Sequence, residues 1–173
     1  MAMDIQETIV NKVASSGLIT LNLEEYLHTG DRVVYDIKDN LFHGLILREK
    51  DFREFVKTHD WQAYTGKNVA ITCSADAIVP TWAYMLLANR LRPYVNEVVF
   101  GDLATLESVL FVKALAKIDV EKYKGERVVV KGCADVELPV AAYVEITNLL
   151  TPVVKSIMYG EPCSTVPIYK RKD

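Results

Sequence analysis

Three cysteines, Cys73, Cys133 and Cys163, are the residues of this 173-residue chain best suited to chemistry. None belongs to a CxxC pair and their number is odd, so a secreted disulfide framework explains them poorly and reduced thiols explain them better. Three thiolates brought together could hold zinc, with a fourth position left open or filled by aspartate, or an iron-sulfur cluster, because both favour soft sulfur ligands. Their separations match no established zinc or ferredoxin spacing, so only geometry can decide. A single thiol could instead act as a nucleophile or persulfide carrier. Cys163 is the best candidate for that role, since it lies between Pro162 and Pro167 in a stretch with no helical or alternating pattern.

Three aspartates accompany the thiols as candidate cofactor contacts. Asp102 is a possible fourth ligand or an acceptor behind the ligands, and it also stands where a helix N-cap is expected. Asp76 and Asp135 lie a few residues before Pro80 and Pro139, where turn formation accounts for them almost as well. Cys73 and Cys133 also have a plain reading, as small apolar fillers at strand ends.

These residues are interesting because of the elements that would position them. From about residue 67 the chain reads strand, turn, helix three times. Asn68–Thr72, Glu97–Phe100 and Arg127–Lys131 are short β-branched runs without strict alternation, as strands buried on both faces should be. Segments 80–93, 103–118 and 139–150 have helical length and periodicity. The expected fold class is α/β: a three-layer domain with a mainly parallel βαβαβα sheet and an N-terminal strand and hairpin extension. In such sheets ligands bind beyond the carboxyl ends of the strands, where helix N-termini point. Cys73-Ser74-Ala75-Asp76 follows the first strand, Gly101-Asp102 the second and Gly132-Cys133-Ala134-Asp135 the third.

Before residue 67 the grammar differs. The spacing predicts a short helix over Asp4–Ala14, a strand at Leu18–Leu21, a hairpin with arms 32–37 and 41–47, and a helix over 51–61. Thr151-Pro152 predicts a further short helix to Met158, ended by Gly160, or a bent continuation of the helix before it. Residues 160–173 read as a cysteine-containing loop. No internal repeat, low-complexity tract or flexible linker stands out, so one domain over 1–173 is expected, with region 17–66 packed onto the 67–159 core.

Other motifs are weaker. His28, His43 and His59 fall in the first third, and His43 reads as a hydrogen-bonded sheet residue rather than a ligand. Trp82, Tyr84 and Met85 could touch a ligand at the sheet edge, but 80–91 is apolar all round, as a buried helix should be. There is no GxGxxG, Walker loop or GxSxG elbow, so nucleotide binding and serine hydrolysis lack their usual marks. A net charge of -3 with interspersed signs argues against wrapping nucleic acid, and Lys170-Arg171-Lys172 reads as a solvated tail. No apolar run is long enough to span a bilayer, and the first residues lack the pattern of a signal peptide, so a cytoplasmic location is expected.

Three strings carry a resemblance. Phe42-His43-Gly44-Leu45-Ile46-Leu47-Arg48-Glu49-Lys50-Asp51-Phe52-Arg53, the Thr72-Cys73-Ser74-Ala75-Asp76-Ala77-Ile78-Val79-Pro80-Thr81-Trp82-Ala83 run and the segment from Gly160 to Arg171 resemble a bacterial family catalogued as domain of unknown function 2480. The resemblance covers nearly the whole chain. It implies no particular reaction, but it associates the chain with iron-sulfur assembly genes, and hence with iron-sulfur assembly proteins as partners. The expectation is therefore a metal-binding or iron-sulfur accessory protein with Cys73, Cys133 and Cys163 as ligands. The alternatives are a thiol enzyme or sulfur carrier using Cys163, and an interaction module that docks a partner through its sheet edge.

Overall fold

The computed structural model describes residues 17–132 and 136–172. Its strands and longer helices run β1 (Leu18–Asn22), β2 (Arg32–Asp36), α1 (Glu49–Thr58), β3 (Asn68–Thr72), α2 (Thr81–Leu91), β4 (Glu97–Phe100), α3 (Leu103–Leu115), β5 (Arg127–Lys131), α4 (Val140–Leu150), β6 (Ser156–Glu161) and β7 (Ser164–Lys170). The helix expected over Asp4–Ala14 lies outside the described residues. The α/β class stands, and the alternation of strand and helix from residue 67 occurs in the expected chain order.

The chain divides into two compact units. A central unit spans Leu27–Ala116, and a split unit joins the chain up to Tyr26 with Lys117 onward. The strands divide with them: β2-β3-β4 form one all-parallel sheet, and β1-β5-β6-β7 form a second sheet in which only β7 runs antiparallel. The third strand of the βαβαβα run, β5, therefore pairs with β1 and β6 and not with β3 or β4.

In the central unit, successive side chains of β3 point to opposite faces. Val69 and Ile71 pack with Phe52 and Val56 of α1 and with Ala83, Leu87 and Leu91 of α2, while Ala70 packs with Leu106 and Leu110 of α3. Three layers result, and the unbroken apolar run of β3 is their sequence signature. Arg32 on β2 ties α3 down through a two-pronged pair with Glu107, Nε to Oε1 at 2.5 Å and Nη2 to Oε2 at 3.1 Å.

Four expectations are corrected. The 32–37 and 41–47 hairpin is absent: β2 lies parallel to β3, and 41–47 forms a turn closed by the Phe42 N–H donating to the Ile46 carbonyl at 2.7 Å. His43 and Gly44 both take positive φ, 51° and 70°, which reverses the chain too tightly for a ladder. His43 is accordingly exposed on that turn, against the Phe42 ring, and is no sheet residue. The segment after Thr151-Pro152 is not a helix but leads into β6, because Ile157 finds its place opposite Val128 of β5 in the parallel ladder. Residues 160–173 are also not a loop: β6 and β7 form a hairpin. Pro167 misled the sequence reading, since proline is tolerated on an edge strand and the ladder shifts register between Ile157 and Met158 beside it.

The expectation of no internal repeat also falls. In the central unit Arg32 lies opposite Asn68, and Asn68 opposite Glu97; in the split unit Leu18 lies opposite Arg127, and Arg127 opposite Ser156. The second and third strands of the two sheets thus correspond at one constant offset of 59 positions, 127 − 68 and 156 − 97. The same gapless offset pairs Tyr64 with Tyr123, Gly66 with Gly125, Asp76 with Asp135, Pro80 with Pro139, Tyr84 with Tyr143, Pro93 with Pro152 and Gly101 with Gly160. The first strands correspond through their register, so Tyr35 matches Leu21 and Asp36 matches Asn22, each followed by a short 3-10 turn, Ile37–Asn40 and Leu23–Tyr26. Both units repeat one β-turn-β-α-β pattern. The repeat escapes composition because identity is confined to residues that set backbone or packing.

Candidate functional site

At the carboxyl edge of the central sheet, β2 ends in Asp36, β3 leads into Cys73-Ser74 and β4 into Gly101-Asp102. Asp36 joins the first two. Its Oδ1 accepts the backbone N–H groups of Ser74 and Lys38, both at 3.1 Å, and its Oδ2 pairs with Lys38 Nζ at 3.3 Å. Burial opposes its charge, but the hydrogen bonds from Ser74 and Lys38 outweigh that and bring the carboxyl down to about 2. It is a fixed anion that caps the turn after β2 and anchors the loop after β3.

Cys73 is a free, half-buried thiol packed beside the central core, 3.6 Å from the Ala75 carbonyl. Tyr84 of α2 lies near it: burial first, then the charges of Cys73 and Asp36, raise its hydroxyl pKa. Tyr84 also meets Phe100 edge-on at 5.1 Å. Asp102 is the N-cap of α3, with Oδ1 accepting the Thr105 N–H at 2.8 Å and the Thr105 hydroxyl at 2.7 Å. These bonds, the backbone one foremost, lower its pKa. Gly101 precedes it at φ 138°, where a Cβ would sit 2.8 Å from the Thr105 side chain, so Thr105 closes down on the glycine. Asp76 is exposed.

The equivalent edge of the split unit is built differently. Gly132 stands where Cys73 stands, and Tyr143 where Tyr84 does; a Cβ on Gly132 would collide with the Tyr143 hydroxyl. Tyr143 meets Tyr159 edge-on at 5.7 Å, repeating the Tyr84–Phe100 contact. Beside this pair an apolar cavity of about 360 Å³ opens among Val130, Tyr143, Thr147, Ile157, Tyr159 and Ile168. Cys163 is exposed at the tip of the β6–β7 hairpin. Cys133 and Asp135 lie outside the described residues.

The structure thus places Cys73, Asp76 and Asp102 in the central unit and Cys163 in the split unit. Among the described residues no group of three histidine, cysteine, aspartate or glutamate side chains is arranged to hold a metal ion. Asp36 escaped the sequence reading, since a carboxylate at the last position of a strand has no local signature. Helix α2 is also not buried all round: Ala83, Leu87 and Leu91 are, but Met85 is 68% exposed. The usable signal for Tyr84 was its repeat partner, the shared spacing from Asp76 through Pro80 to Tyr84 and from Asp135 through Pro139 to Tyr143.

The fold and edges described here define an α/β protein made of one parallel pattern used twice. Residues 7–171 match the family described as protein of unknown function DUF2480, and the chain belongs to it. No curated protein matches the chain, and no solved structure does. Among the described residues no helix is long and apolar enough to cross a membrane.

Proposed function

We propose that this protein is a cytoplasmic docking module that holds a partner protein through apolar side chains left exposed on α2 and β4 of the central unit and on α4 and β6 of the split unit. One observation carries the reading. The same positions are left bare twice: Phe100 and Met85 are 69% and 68% exposed in the central unit, and their repeat partners Tyr159 and Val144 are 46% and 56% exposed in the split unit. Large apolar side chains kept out of the core at matched positions mark a surface that another protein covers. The partner class suggested by the family's association is an iron-sulfur assembly protein.

The test is co-purification of the tagged chain from its own cells, with partners identified by mass spectrometry, for wild type and for Phe100→Asp and Tyr159→Asp. Both side chains are exposed, so both variants should fold. A partner recovered at least ~10-fold less with either variant supports docking; an unchanged set of partners defeats it.

A second reading keeps the thiols: a metal or iron-sulfur accessory role with Cys73, Cys133 and Cys163 as ligands, or a sulfur carrier using Cys163 alone. It is favoured by the free state of Cys73 and Cys163 and by their position in segments that follow strands. Elemental analysis of protein purified without oxygen decides it. Metal lost in each cysteine-to-serine variant supports the ligand set, and stoichiometric metal retained in all three overturns it. Selective fast alkylation of Cys163 in metal-free protein would instead support the carrier.

A further inference from the structure

We propose that a cavity beside β2 in the central unit is a binding site for a small alkylammonium cation. The cavity has a volume of about 320 Å³ and is walled by Tyr35, Phe55, His59 and Tyr64, with Asp36 and Asp39 at its margin. The rings are mutually braced. His59 lies 4.7 Å from Phe55, 6.0 Å from Tyr64 and 6.3 Å from Tyr35, and Tyr35 stacks on Trp61 at 6.1 Å. Tyr35 directs its hydroxyl to Asn40 Oδ1 at 2.8 Å, which commits its polar end and leaves its ring to line the space.

Aromatic faces carry negative potential and attract organic cations, most strongly where water is excluded. The carboxylates make the same demand. Asp36 is already neutralised by Lys38 at 3.3 Å, whereas Asp39 has no hydrogen-bond or ion-pair partner among the described residues. A ligand with apolar carbons and a positive charge would use both features, the rings and the Asp39 carboxylate. That combination selects an alkylammonium ion over a neutral apolar molecule or an anion.

The repeat provides an internal comparison. At the positions of Tyr35, Asp36 and His59 the split unit has Leu21, Asn22 and Ile118, while Tyr123 and Glu25 stand for Tyr64 and Asp39. The two units thus keep the backbone pattern and an acid at the position of Asp39, and they part with each other at two of the rings that wall the cavity, Tyr35 and His59.

The probe is n-butylammonium, titrated into the full chain by calorimetry with amide-shift mapping, against 1-butanol as the neutral analogue. Saturable binding is expected, with shifts centred on Asp39, His59 and Tyr64, and 1-butanol should bind at least ~10-fold more weakly. Asp39→Asn should weaken n-butylammonium by about the same factor. Asp39 is exposed, so this variant retains the fold; circular dichroism checks that. Tyr64→Leu removes one wall and should weaken the cation more than the alcohol. Equal affinity for the alcohol, shifts centred elsewhere, an Asp39→Asn variant that binds as wild type or no saturable binding would each overturn the proposal.

Discussion

The central and split units share strand order, register and the spacing of their glycines and prolines, yet they differ at several positions near the sheet ends. The central unit has Asp36, Cys73 and Asp102 where the split unit has Asn22, Gly132 and Glu161, and it has Tyr35 and His59 where the other has Leu21 and Ile118. Backbone-determining residues are held in common because the pattern cannot be folded without them. Side chains that face the openings are free to diverge, and that is where function is to be sought.

Leu87 and Ile146 are repeat partners and both are fully buried. Leu87→Ala and Ile146→Ala should each destabilise by about 2–5 kcal/mol, measured by urea unfolding; a cost below about 1 kcal/mol in either unit would break the equivalence of their cores. Gly132→Ala should cost about 1–3 kcal/mol because its Cβ meets the Tyr143 hydroxyl. Adding Tyr143→Phe should recover part of that loss in thermal unfolding, while Cys73→Ala, at the matching position of the central unit, should stay nearer wild type.

Asp36 supplies a pH-dependent difference between the units. Its folded pKa, about 2, lies below the ordinary 3.8, so its contribution is fully present above about pH 4 and is lost as the pH falls toward 2. Unfolding free energy followed over that window should fall less steeply in Asp36→Asn, which copies Asn22 of the split unit. An identical acid limb in the variant would mean that Asp36 is not held as described. The smallest effect belongs to Cys163: Cys163→Ser should change stability by no more than about 0.5 kcal/mol, because the thiol is exposed at a hairpin tip. In wild type it should alkylate faster than the half-buried Cys73.

Much of the fold was legible. The bounds of β3, β4 and β5 follow from β-branched runs, and α2, α3 and α4 from apolar periodicity closed by proline or leucine-rich ends. The failures have physical causes. Residues 41–47 look like a strand because they are apolar, but two positive-φ residues in succession turn the chain back on itself. Segment 156–170 looks like helix and loop because of its prolines and glycine, yet an edge hairpin accepts them. Of the site, Cys73 and Asp102 were read correctly as ends of parallel strands, whereas Asp36 became visible only once Ser74 was seen to donate to it from another strand's loop.

The sequence by itself determined the α/β class, the positions of the buried strands and the family, since these rest on local periodicity and on long contiguous strings. Tertiary structure alone decided which strands share a sheet and which side chains wall the cavity beside β2, and strand register tied the sparse sequence identities of the two units into one pattern. Pairing in parallel sheets joins segments far apart in the chain, and neither a ladder partner nor a ring across a cavity leaves a mark on the residues next to it in sequence.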